Sequence, residues 1–569
     1  MTITEMDIYQ LVFYLVILIL LVKPLGWYMA RVYENKSCGL DRLGGPIENF
    51  LYRTCGIHFE QEMNWKQYLS AMLVFNLIGM LIIYFIQRFQ FYLPFNPQHF
   101  SAPTPDLAFN AAASFTTNTN WQSYGGETTF SYLTQMLACT VQNFLSAATG
   151  MSLVIALIRG IARQEEKGLG NFWVDTIRGT LYILLPLAML FSVILVSQGV
   201  IQNLKPYETI SAIETTQQII PMGPVASQVA IKQLGTNGGG FFNANAAHPF
   251  ENPTPLVNFL EMLAILLIPA ALCYTFGVMV KDRRQGWAIL AAMIILFVPF
   301  VIMAVAVEQH GNPALTQMGI SGGNMEGKET RLGVINSALW STATTASGNG
   351  SVNSMIDSYM PMAAFVPLWM MQLGEVVFGG AGSGLYAMLM MIIITVFVGG
   401  LMVGRTPEYM GKKIEPYEIK MASIVVLVMP IIVLLCTAIA SVIDAGISAR
   451  GNPGAHGFTE ILYAFTSMGN NNGSAMMGLN ANTHFYNILG AIAMLISRYW
   501  IAIPVLALAG SLARKKISVI DSGTLTTHTP LFIILLVFDI AILGALSFLP
   551  ALALGPIVEH LMLWGQYGS

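Results

Sequence analysis

Thr236-Asn-Gly-Gly-Gly-Phe-Phe-Asn-Ala-Asn-Ala-Ala-His-Pro-Phe-Glu-Asn-Pro253 is the stretch on which the reading of this chain turns. It lies between apolar runs long enough to cross a membrane, yet it is polar, with three consecutive glycines, asparagines and two closing prolines. Glycines have no side chains to pack, so they offer backbone carbonyl and amide groups free to take unusual dihedrals. At membrane depth such backbone is tolerated only where protein buries it or where it lines a polar cavity. Taken alone, the stretch also fits an ordinary external loop turning at Asn237-Gly238. The argument for function is recurrence, because three shorter passages look like imperfect copies of it.

The chain of 569 residues is 55% hydrophobic and only 10% charged, with a mean hydropathy of +0.62. For most of it the solvent is lipid, which makes it a polytopic membrane protein. A net charge of -3 and the lack of a long basic run set nucleic acid aside. The five cysteines (Cys38, Cys55, Cys139, Cys273, Cys436) form no C-x-x-C or Cys/His cluster, so no disulfide framework or zinc site is expected from them. The N-terminus lacks the basic region of a cleavable signal, and its apolar run from Ile8 reads as a first transmembrane span.

Apolar runs of membrane-crossing length occur near residues 8 to 30, 67 to 87, 131 to 158, 177 to 199, 256 to 280, 286 to 307, 360 to 403, 418 to 444, 485 to 511 and 530 to 552, ten spans in all. The seventh is too long for one straight helix, and its glycines predict a break near Gly379 to Gly384. Lys and Arg concentrate after the odd-numbered spans, as in Arg159, Arg163 and Lys167 or Arg514, Lys515 and Lys516. The positive-inside rule therefore places both termini outside, on the periplasmic side in a Gram-negative host.

That topology puts four Gly/Asn-rich passages on the outer side, within Ala111–Gln122, Gln233–Gly240, Ala343–Asn353 and Ala464–Ser474. Each follows a weakly apolar segment of helical length and precedes the next span. The expected fold is an all-α membrane protein of four span, pore-helix, filter-loop, span repeats, with one extra span at each end. The corresponding divisions are 1–66 (first span and cytoplasmic loop), 67–160, 161–282, 283–410 and 411–516 (the four repeats), and 517–569 (the tenth span). Four such loops on a pseudo-fourfold axis let carbonyl oxygens replace the hydration shell of a monovalent cation. Thr, Asn, Ser and Gly supply carbonyl, hydroxyl and amide oxygens. Hard multivalent cations favour carboxylates, and the loop cores have none, so K+ is favoured. The first loop has Asn118-Thr119-Asn120 where the others offer Gly238, Gly350 and Gly473, so the pore is expected to be only pseudo-symmetric.

Thr117–Gln122, Gly235–Gly240 with Asn243–Pro253, Thr345–Asn353 and Asn470–Ala475, in this order and setting, resemble the KdpA family, the potassium-binding subunits of bacterial Kdp pumps. The resemblance spans essentially the whole chain. It implies a complex with a P-type ATPase subunit, KdpB, and with KdpC and KdpF, in the bacterial inner membrane. It also implies that K+ passes sideways through a tunnel into the ATPase subunit. Carried over position by position, it implies filter roles for Asn118, Thr119, Asn120 and Gln122; for Thr236, Asn237, Gly238 and Asn245; for Ser347, Gly348, Asn349 and Gly350; and for Asn471, Asn472 and Gly473. The sequence shows no phosphate-binding loop and no Asp-Lys-Thr-Gly phosphorylation motif, so ATP hydrolysis is assigned to the partner and no nucleotide to this chain.

Charges within the spans are functional candidates by default. Arg498, in the ninth span, is expected to point into the cavity beneath the filter and repel K+ from a direct inward route, or alternatively to form an ion pair between repeats. Glu375, before the glycine break, would attract an ion or anchor a pore-blocking loop. Arg405 closes that span as an interfacial anchor or a coupling residue. Asp539 has no evident partner, and His248 reads as a packed loop residue. The competing function is a self-contained K+ channel or ion-coupled symporter of the Trk or Ktr type. An intramembrane enzyme would need a nucleophile/base pair or a metal triad, and the sequence suggests neither.

Overall fold

The structure is a computed structural model that describes residues 5–211, 217–320, 322–402, 404, 406–517 and 525–567. Ten helices among them are long and apolar enough to cross a membrane, beginning with Ile8–Tyr33 and Trp65–Tyr92 and ending with His484–Arg514 and Pro530–Gln566. The chain is therefore a multi-pass membrane protein. Four shorter helices lie between spans: Pro105–Thr116, Val225–Leu234, Gly333–Ala346 and Gly454–Gly469. At about 1.5 Å of rise per residue none of them reaches across a hydrocarbon core of about 30 Å. Each enters the bundle and stops inside it, its last turn buried.

In every repeat the span that follows the short helix is buried more deeply than the span that precedes it. The third, fifth, seventh and ninth spans thus form an inner layer and the second, fourth, sixth and eighth an outer one. The first span packs along the fifth, and the tenth lies against the sixth and seventh. The cysteines are all free, with Cys139, Cys273 and Cys436 buried.

The seventh span is broken at the glycines its sequence points to, and the break is longer than they suggest. Its first half, Pro361–Gln372, ends before Gly374, and its second half is Ser383–Met402. The connecting segment takes left-handed backbone at Gly374, Glu375, Phe378, Gly379 and Gly382. The break takes in Gly379 to Gly382 as expected and reaches back to Leu373, because Gly374, Glu375 and Phe378 adopt positive φ as well. Gly384 belongs to the second helix, where it is needed for packing: a Cβ there would fall 1.6 Å from the Phe378 carbonyl oxygen.

At the end of the bundle where the basic residues concentrate, Lys412 is buried. Its ammonium donates to the carbonyls of Gly160 at 2.9 Å and Leu512 at 2.7 Å, and also to that of Arg163. A cation here satisfies the orphan carbonyls at the C-termini of the third and ninth spans and complements their dipoles. Arg405 lies outside the described residues.

Candidate functional site

Each short helix ends in a loop with two left-handed residues two positions apart. The pairs are Asn118 and Asn120, Thr236 and Gly238, Gly348 and Gly350, and Asn471 and Gly473. Asparagine tolerates this conformation better than most residues with a Cβ, which is how the first loop does without glycine. The amide hydrogens of each loop turn back onto the helix that precedes it. Thr119 and Asn120 donate to the Ser114 carbonyl, Asn237 and Gly238 to that of Lys232, and Asn349 and Gly350 to that of Thr344. In the fourth loop Asn472 donates to the Ser467 carbonyl, and Gly473 to the Ser467 hydroxyl at 3.0 Å. The middle carbonyls, of Thr119, Asn237, Asn349 and Asn472, accept no hydrogen bond among the described residues. Donors are used on the helix side, and oxygens are left over.

The four loops close on one another in chain order. A Cβ on Gly238 would fall 1.9 Å from the Asn349 carbonyl oxygen, one on Gly350 2.3 Å from that of Asn472, and one on Gly473 2.0 Å from that of Thr119. Gly239 completes the ring against Asn120, where a Cβ would come within 2.8 Å of the Asn120 Cβ. Gly238, Gly350 and Gly473 are required twice, for positive φ and for the neighbour's backbone.

Side-chain amides tie each loop to another repeat. The Asn349 amide donates to the Lys232 carbonyl at 3.0 Å and the Asn472 amide to that of Thr344 at 2.9 Å. Asn237 donates to Asn118 Oδ1 at 2.5 Å, and Asn471 donates to Thr119 Oγ1 at 2.9 Å, which joins the last loop to the first. Sequence reasoning treats the amide oxygens as spare ligands, and here the structure divides them. Those of Asn118, Asn349 and Asn472 are spent on hydrogen bonds inside the ring, whereas those of Asn120 and Asn237 are buried without a partner. Ser347 turns its hydroxyl to the Thr344 carbonyl, and Gln122 brackets Gly240 through both its backbone groups. Thr236 Oγ1 reaches below the ring and accepts from the Ala381 amide at 2.7 Å.

The long second loop carries a support that sequence reasoning missed. Lys232 and Glu251, both fully buried, form an ion pair, and Lys232 also donates to Asn245 Oδ1 at 2.8 Å. Asn245 in turn donates to the Gly238 carbonyl at 2.8 Å, so its side chain braces the ring from behind. His248 stacks on Phe242 at 3.8 Å between ring centres and accepts from the Phe250 amide at Nδ1, and burial pushes its pKa down. The signal for the pair was a lone charged residue in the short helix Val225–Leu234 and the glutamate of the His-Pro-Phe-Glu-Asn-Pro tail. A second buried pair, Lys328 with Glu308 at 2.6 Å, was equally unread.

Cavities lie on both sides of the ring. The outer one is lined by Asn120, Gln122, Gly238, Gly350 and Gly473. The inner one is lined by Glu375, Asn470, Asn471 and Ser497, and it extends between the seventh, eighth and tenth spans to Met429, Leu543 and Ser547. The broken segment of the seventh span passes directly beneath the ring, since the Gly379 amide donates to the Ala346 carbonyl. A Cβ on Gly348 would meet Glu375 Oε1 at 2.7 Å. Arg498 reaches the same layer, its guanidinium 3.2 Å from a Cβ placed on Gly150, which also packs on the Ala381 carbonyl. Its charge acts on Glu375 through space, and it forms no ion pair among the described residues. Asp539 keeps a carboxylate oxygen buried without a partner.

Residues 12–561 match the family model of the potassium-transporting ATPase A subunit, KdpA. The chain belongs to the KdpA family. Similar relatives in this family are named potassium-transporting ATPase potassium-binding subunit. The protein from Sorangium cellulosum is 60% identical and aligns over 96% of this chain and 97% of its own. That from Methylococcus capsulatus is 58% identical over 99% and 100% respectively. Among solved structures, the potassium transporter TrkH from Vibrio parahaemolyticus aligns with 85% of this chain and 96% of its own, with a TM-score of 0.51 and 13% identity. That likeness shows the fold, and the family membership does not favour the reading as a self-contained Trk-type or Ktr-type system.

Proposed function

We propose that this KdpA-family chain selects K+ at the four-loop ring and passes it to a P-type ATPase subunit, which supplies the energy for uptake. The observation that carries the reading is the ring of unspent middle carbonyls, of Thr119, Asn237, Asn349 and Asn472, with the amide hydrogens of these residues and of the residue after each turned back to the preceding helix. Neutral oxygens so arranged replace the water of a weakly hydrated monovalent cation. The unpartnered amide oxygen of Asn120, which borders the outer cavity, is available to a partly hydrated ion at the mouth. Asn118, Asn349, Asn472, Gln122 and Asn245 act as braces for that ring.

In this reading the ion enters from the extracytoplasmic side, where both termini also lie. The crossing segment at Glu375 closes the straight route, and Arg498 adds an electrostatic barrier there. The inner cavity between the seventh, eighth and tenth spans leads the ion sideways to the ATPase subunit, KdpB, in a complex with KdpC and KdpF. ATP is hydrolysed by the partner.

The test is ATP-driven K+ uptake into vesicles that contain the purified complex, comparing the unmodified chain with Gly238→Asp and Gln122→Arg. Weakened K+ dependence in both variants, with basal ATP hydrolysis retained, supports selection at the ring. Unchanged uptake in both would assign selection to the ATPase subunit instead.

A further inference from the structure

Beside the outer cavity, at the same end of the molecule as the ring mouth, Asp357, His456 and Glu460 each bring a ligand atom within 4.8 Å of the other two. None of them belongs to the ring. Asp357 follows the third loop, while His456 and Glu460 stand four residues apart on the short helix Gly454–Gly469 and so share one of its faces. We propose that these three side chains form a binding site for a divalent transition-metal cation of the zinc class.

The first argument is the orientation of the imidazole. His456 Nδ1 lies 2.8 Å from Glu559 Oε1, on the C-terminal helix Val558–Tyr567. A carboxylate that accepts a hydrogen bond from Nδ1–H fixes the ring so that Nε2 is the nitrogen offered to a metal, the usual arrangement behind a metal-bound histidine. The other nitrogen, Nε2, pairs with Asp357 Oδ1 at 3.2 Å, a contact whose proton a bound cation would replace. With metal–ligand distances of about 2.0–2.2 Å, the edge of a tetrahedral zinc site is roughly 3.3 Å, so this pair already stands at ligand spacing.

The second argument is the space between the carboxylates. A Cβ on Gly478 would fall 2.3 Å from Glu460 Oε1 and 2.8 Å from Asp357 Oδ2, so both carboxylates converge on a spot that only glycine leaves open. Glu460 is fully buried and held from behind, accepting from the Gly451 amide at 2.9 Å and from the Asn452 side chain at 2.7 Å. Such hydrogen bonds orient a ligating carboxylate and leave lone pairs for a metal.

Charge and access complete the case. With the Nε2 proton displaced by the metal, two carboxylates and a neutral imidazole balance a divalent cation, and nitrogen with carboxylate oxygen suits zinc and its neighbours. The cavity lined by Asp357, Asn452, His456 and Glu559 opens outward and provides water for a fourth position. A bound cation would join the segment after the third loop, the fourth short helix and the C-terminal helix, so the site would fasten the last repeat to the ring from outside.

The experiment uses the purified complex, first stripped with a chelator and then titrated with Co2+ alone and Zn2+ alone. The expected result is one equivalent of Zn2+ by elemental analysis and a visible Co2+ absorption of low-symmetry coordination that Zn2+ abolishes. His456→Gln and Asp357→Asn should abolish the absorption. Glu559→Gln, which keeps all three ligands, should weaken binding about 10- to 100-fold. Thermal shift measured without metal shows that each variant is folded. No Co2+ absorption in the unmodified complex would overturn the proposal and leave His456 as a salt-bridge residue only. So would absorption that survives in His456→Gln.

Discussion

Gly238→Ala tests the ring with the smallest possible change. The added methyl would stand 1.9 Å from the Asn349 carbonyl oxygen, where real Cβ contacts do not fall below 3.0 Å, so one of the two loops must move by about 1 Å. Two costs arise. Holding alanine at φ +81 costs about 1–2 kcal/mol, and overpacking against backbone costs about 1–3 kcal/mol. The first is a folding cost. The second falls on the ring itself and, taken at about 1.4 kcal/mol per tenfold, weakens K+ binding about 5- to 150-fold. The assay is ATP hydrolysis by the purified complex as a function of K+. A control separates the two costs: Gly39→Ala meets the same strain at φ +87 with no atom within 4 Å, and its K+ dependence should be unchanged. Half-saturation at the wild-type K+ concentration in Gly238→Ala, or an equal shift in Gly39→Ala, would refute the reasoning.

Lys232→Met leaves Glu251 buried and uncompensated, so it should destabilise the protein by about 3–5 kcal/mol, whereas Lys232→Met with Glu251→Leu should recover most of that in thermal unfolding. Arg498→Ala removes a charge whose repulsion of a cation passing ~8 Å from it would be ~2 kcal/mol at an effective dielectric of ~20. Passive K+ leak through reconstituted complex should then rise about 30-fold, and a leak no greater than wild type removes Arg498 from the barrier. The pKa of His248 is lower in the folded chain than in the unfolded one, so the unfolded chain binds more protons and stability rises with pH. Its contribution is fully present above about pH 6.5 and is lost as pH falls below that value, with a slope of at most about 1.4 kcal/mol per pH unit. His248→Phe, which keeps a ring on Phe242, should flatten the melting-temperature slope between pH 5.5 and 7.5, and an unchanged slope would place the dependence elsewhere.

The sequence by itself determined the ten spans and the positions of the four loops, and the reason is local. Twenty apolar residues in a row suit lipid, and Gly/Asn-rich backbone that recurs four times between such runs suits a polar lining better than four unrelated external loops. The left-handed positions Gly238, Gly350 and Gly473 were legible for the same reason, because glycine marks the conformation where it occurs. What remained illegible depends on residues far apart in the chain. The break in the seventh span begins at Leu373 because Gly374 and Glu375 turn left-handed under the ring, and composition alone pointed to the later glycines. Only the tertiary structure set Glu375 beside Gly348, paired Lys232 with Glu251, and brought Asp357 to His456 across 99 residues. It also decided which oxygens are spent and which are free. Asparagine is donor and acceptor at once, and whether its oxygen faces an ion or a neighbouring serine is settled by the packing of four loops around one axis.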